Sequence, residues 1–108
     1  MSYDPDENDY YAKNGYPDGR GHVFRAEMCQ ALIAYARAGE PVGGFLQAVL
    51  SNDLMAAVCR ADQDNIRNLP AGALFIYNEL PSPCHGSPAK YEAWLAKFET
   101  PKEKTNGT

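Results

Sequence analysis

Cys84 and His85 are adjacent, and their residue types are the ones in this chain most suited to covalent chemistry. A cysteine nucleophile needs a base within reach and an electropositive setting that favours the thiolate. The pair lies in the loop PSPCHGSP, where neighbouring side chains usually point apart, and no nearby acid stands ready to orient the imidazole. Zinc pairs are normally spaced by two to four residues. The chain has no CxxC or HxxxH run; His22, Cys29 and Cys59 are far from the pair in sequence. Asp53 and Asp62 bracket a short apolar segment, where acids act as helix caps more readily than as an acid–base pair. Asn78 and Glu79 end an apolar run and suit a role in fixing the following loop. Gly43-Gly44 has neither a lysine beside it nor a strand before it, so it is not a phosphate loop. Asp4, Asp6 and Asn8 suggest a calcium loop, but the sixth and twelfth positions, counted from Asp4, hold Asp9 and Gly15 instead of Gly and Glu. The expectation is a non-enzymatic chain with no catalytic residue, no cofactor and no metal.

The elements that carry these residues read as helices. The chain has 108 residues, enough for one domain with a modest core. GGFLQAVLSNDLMAAVCRAD, residues 43–62, is its densest apolar stretch and the expected hub. Before it, residues 23–38 place Cys29, Leu32, Ile33 and Ala36 at the spacing of one buried helical face, ended by Gly39. Within the hub, Phe45, Leu46, Val49 and Leu50 form the face of a helix over 42–50. Ser51, Asn52 and Asp53 are cap residues that imply a break and a restart, with Leu54, Ala57, Val58 and Ala61 directed inward from a helix over 53–61. Gly43 and Gly44 are expected to permit close backbone approach.

Pro70 opens a further helix over 70–80, with Leu74, Tyr77 and Leu80 on one side. A buried strand there is the alternative, because ALFIY is rich in strand formers, but no second strand-like run exists to pair with it. Ser87-Pro88 starts the last helix, over 88–99, whose stripe Tyr91, Trp94, Leu95 and Phe98 is expected in the core. The predicted architecture is all-α: a compact bundle of about five short helices over 22–100, a flexible acidic arm over 1–21 and a polar tail over 101–108.

Charge narrows the function classes. The net charge is −4, and residues 1–20 hold five acids against two bases. That balance disfavours direct nucleic-acid binding, which needs a basic footprint. No apolar run approaches the roughly 18 residues of a membrane span, and MSYDPDENDYY lacks the apolar core of a secretory signal, so a cytoplasmic protein away from membranes is expected. Three widely spaced cysteines imply reduced thiols, with Cys29 and Cys59 buried on apolar faces. The arm's Tyr3, Tyr10, Tyr11 and Tyr16, with Asp4, Asp6 and Asp9, are the candidate partner-binding residues, since aromatics dominate binding hot spots. The candidate structural hub is Phe45, Leu46, Val49, Leu50, Leu54, Val58 and Trp94.

EPVGGFLQAVLSNDLMAAVCRADQDN followed by IYNELPSPCHGSPAKYEAWL, roughly residues 39–95, resembles a family of short proteins encoded by tailed bacteriophages and prophages. The shared pattern is GGFLxAVLxNDL, then ADxxN, NExP and GSP before WL. The pattern has Trp where this chain has His85. The resemblance carries over no biochemical activity and supplies context more than function. It implies a phage or prophage protein that acts in the host cytoplasm by stoichiometric binding to a host or phage protein, inhibition of a bacterial defence system being one such role. The alternative is a self-assembling structural or regulatory accessory of phage replication or transcription, with a second copy of the chain as partner.

Overall fold

The computed structural model describes residues 5–99. Seven α-helices, a 3-10 turn and one two-stranded hairpin follow in chain order: α1 Pro5–Asn14, β1 Tyr16–Pro17, β2 Val23–Phe24, α2 Ala26–Ala38, α3 Gly44–Leu50, α4 Leu54–Arg60, α5 Gln63–Arg67, α6 Leu69–Glu79, the 3-10 turn Ser82–Cys84 and α7 Pro88–Lys97. The fold is mostly helical but not strictly all-α, because β1 and β2 pair antiparallel with Tyr16 opposite Phe24 and Pro17 opposite Val23.

The N-terminal region departs most from expectation. The described part of the supposed flexible arm holds α1 and half of the hairpin, and α1 packs along α2. Gln30 Nε2 donates to Ala12 O at 2.6 Å and Arg37 pairs with Asp9 at 3.2 Å. Tyr11 and Tyr16 meet edge to face at 4.8 Å, and both rings approach Phe75 of α6, at 5.8 and 5.2 Å. The helical pattern of α1 was hidden because its acids and amides carry no apolar period; Tyr11 and Ala12 are α1 residues that pack against the core. Residues 23 and 24, expected at the start of α2, belong instead to the hairpin. Residues 101–108, expected as a polar tail, lie outside the described residues.

Helix ends follow local side-chain chemistry. Asp53, Asp62 and Ser87 each accept a hydrogen bond from the backbone N–H three residues on, capping α4, α5 and α7. Between α3 and α4, Asp53 N–H donates to Ala48 O and Asn52 N–H to Val49 O, at 2.9 and 3.1 Å. This pair of bonds closes a helix whose next residue is left-handed, and Asn52 has φ 61°. Asparagine tolerates that region better than most residues. The break and restart expected from Ser51-Asn52-Asp53 is therefore present, as is the preferred helix over the ALFIY run.

The core gathers Phe24, Leu32, Tyr35, Leu50, Phe75 and Leu80, all essentially sealed from solvent. Close packing is set by Gly72 rather than by the Gly43-Gly44 pair. A Cβ on Gly43 would meet nothing within 4 Å and one on Gly44 only the Arg60 stem, whereas one on Gly72 would stand 2.5 Å from the Phe24 ring. The β2 aromatic thus lies flush on the α6 backbone. Helix propensity alone favours Gly72→Ala by about 1 kcal/mol; the enclosed ring cannot move aside, and overpacking of this kind costs about 1–3 kcal/mol. Gly72→Ala is expected to lower the urea unfolding free energy, and a net gain would contradict this packing.

Candidate functional site

A groove runs between α3–α4, α6 and the segment joining the 3-10 turn to α7, with a cavity of about 480 Å³. One wall is Val49, Leu54 and Ala57; the other is Leu69, Ala73, Ile76 and Tyr77. Its polar end gathers Asn52, Asp53, Ser82, His85 and Lys90. That end is placed by a 2.7 Å hydrogen bond from Gly86 N–H to Leu50 O, which ties the loop before α7 to the end of α3.

An apolar ridge borders the groove. Leu54, Met55 and Val58 of α4 are 63%, 75% and 44% exposed, and Tyr77 of α6 is 65% exposed. This corrects the inward placement of Leu54 and Val58. α4 meets its neighbours through small residues: Ala57 is buried, and Ala56 and Ala61 pack against the core. Small side chains let two short helices approach closely, which turns the larger apolar residues outward. Leu54 and Val58 are therefore not hub residues, whereas Phe45, Leu46, Leu50 and Trp94 are buried and Val49 packs against them. In α6, likewise, the buried face is Ala71, Gly72, Phe75 and Ile76, and Tyr77 faces solvent.

Cys84 and His85 part company. Cys84 is enclosed, and burial pushes its thiol up to about 12, which holds it neutral at physiological pH and unfit as a nucleophile. His85 lines the groove. Burial, and then the Lys90 charge, push its imidazole below the usual range. The Leu80 backbone opposes that shift without satisfying Nε2, which is shielded and lacks a hydrogen bond of good geometry. Cys29 is buried and its thiol also pushed up to about 12, whereas Cys59 is exposed, contrary to its expected burial. Among the described residues, no three His, Cys, Asp or Glu side chains converge to hold a metal ion, and no helix is long and apolar enough to cross a membrane.

The candidate arm residues scatter. Tyr11 and Tyr16 pack on Phe75 and serve the core's edge, Tyr10 is exposed, and Asp9 pairs with Arg37. Asp6 falls within α1; Tyr3 and Asp4 lie outside the described residues. The groove itself draws on five separate segments, so no local run in the sequence signals it. The one available clue was Leu-Met at 54–55 directly after a cap, two large apolar residues followed by the small pair Ala56-Ala57.

A second polar cluster closes the hairpin. Asp18 is enclosed; its Oδ1 accepts from Arg20 N–H and His22 N–H at 2.7 and 3.1 Å, and its Oδ2 lies 2.7 Å from His22 Nδ1. Burial raises the carboxyl's pKa, but these hydrogen bonds outweigh it and lower the group from 3.8 to about 2. No family model, no curated protein sequence and no solved structure matches the chain.

A carboxylate whose folded pKa is depressed contributes stability that is present above its unfolded pKa and lost as pH falls through the folded value. Asp18 is thus expected to make the wild-type chain lose stability between about pH 4 and pH 2. Thermal melts across that window check it: Asp18→Asn should flatten the slope, and an unchanged slope would contradict the assigned role.

Proposed function

We propose that the protein acts by stoichiometric, non-enzymatic binding to another protein through the α4–α6 face. The observation that carries this reading is the run of Leu54, Met55, Val58 and Tyr77, large apolar side chains held outward beside a groove by a well-packed scaffold. Contiguous exposed apolar patches rimmed by polar groups mark interaction surfaces. This face takes over the role expected of the tyrosine arm, whose Tyr11 and Tyr16 are engaged with Phe75.

The setting proposed for this binding is a phage or prophage protein acting in the host cytoplasm, with inhibition of a bacterial defence system as the role. It rests on the resemblance carried by residues 39–95. The second reading, a self-assembling accessory protein, draws on the same outward face, which a second copy would also cover.

Affinity capture from bacterial lysate, followed by sedimentation of the recovered complex, separates these readings. The wild-type chain is expected to retain one partner in fixed ratio. Met55→Glu, at an exposed position, is expected to lose that partner by at least about tenfold while keeping the wild-type circular dichroism melt. Equal recovery by both proteins would remove the α4 face. A purified chain sedimenting at twice its 11.9 kDa mass, with no partner captured, would favour self-assembly.

A further inference from the structure

The cavity beneath the α4 ridge has its own chemistry. Its volume, about 480 Å³, falls in the roughly 300–1,000 Å³ range of small-molecule sites. Val49, Ala57, Leu69, Ala73 and Ile76 supply an aliphatic lining. Two charged residues reach it. Asp53 accepts a 3.1 Å hydrogen bond from Ala56 N–H, so its carboxylate serves the cap of α4. Lys90 makes no ion pair among the described residues. The first turn of α7 sets its ammonium at the rim beside Gly86, 3.6 Å from where a Cβ would stand on that glycine. The Lys90 charge also helps to push the His85 imidazole down, so His85 brings a neutral polar group, not a second cation, to the same end. An aliphatic trough that ends at one uncommitted ammonium selects for a molecule with the matching division.

We propose that this groove binds a small amphipathic anion: a flat or branched apolar body lying between α4 and α6, with a single carboxylate or similar anionic group at Lys90. The apolar body gains from leaving water along the Ala57, Ala73 and Ile76 walls. The anion gains a charge-assisted contact at the rim, which decides orientation. This goes beyond the protein-binding reading, which concerns the ridge above the groove.

Fluorescence titration of the full chain with 8-anilinonaphthalene-1-sulfonate, and with the uncharged N-phenyl-1-naphthylamine, tests it. The ring systems are alike, so their difference isolates the anionic group. Expected is saturable one-to-one binding of the sulfonate. Lys90→Gln should weaken it about tenfold and leave the neutral probe unchanged. Ala73→Trp, which fills the groove from an exposed helical position, should lose both probes. Circular dichroism melts confirm that each variant is folded. Absence of saturable binding to the wild type, sulfonate affinity unchanged by Lys90→Gln, or undiminished binding to Ala73→Trp would each overturn the proposal. Probe binding absent while Met55-dependent partner capture persists removes the ligand and leaves the protein-binding reading in place.

Discussion

Tyr35 is the residue on which the rest of the molecule depends. It lies in the second half of α2, wholly enclosed, and its polar atoms hold three elements together. Its hydroxyl donates to Cys84 O at 2.7 Å, its carbonyl accepts from Trp94 Nε1 at 3.1 Å, and its ring stacks on Tyr91 at 5.3 Å. A buried hydrogen-bonding group left without a partner costs about 1–3 kcal/mol, so each bond constrains where the 3-10 turn and α7 can lie. The Gly86–Leu50 bond extends the constraint to the end of α3. The groove's polar end is therefore built on α2, although α2 contributes nothing to its lining.

The opposite wall follows from a different constraint. α4 is seven residues long and packs through alanines, so it approaches its neighbours closely and carries Leu54, Met55 and Val58 on its outer side, Leu54 at the edge of the groove. Outward apolar residues lower solubility and add little to folding; a scaffold that pins them in place supplies a preorganised surface, which is what binding rewards. On this account the fold's economy at α4 and the proposed binding face share one cause.

Much of this was legible from residue types where a local rule applies. Gly39 ends α2 with φ 70°, Asp53, Asp62 and Ser87 cap the helices they precede, and Tyr91 and Trp94 face the core. Periodicity failed where the buried stripe is made of small residues: in α4 the largest apolar side chains mark the outer face, and in α6 Gly72 faces inward where Tyr77 does not. α1 and the hairpin were missed because they are stabilised by tertiary contacts, such as Phe24 on Gly72 and Tyr11 on Phe75, that have no local signature. The groove combines segments from Val49 to Lys90, so it is a property of the fold and not of any motif.

The most direct test of Tyr35 as the pin is native-state hydrogen exchange on Tyr35→Phe, which keeps the ring and removes the hydroxyl. The amides of Cys84 and Gly86, bonded to Pro81 O and Leu50 O, should exchange at least about tenfold faster than in the wild type. The amide of Gly15, bonded to Tyr11 O at the end of α1 and in none of the Tyr35 contacts, should hold its rate. Equal acceleration at all three amides, or none at Cys84 and Gly86, would contradict the account.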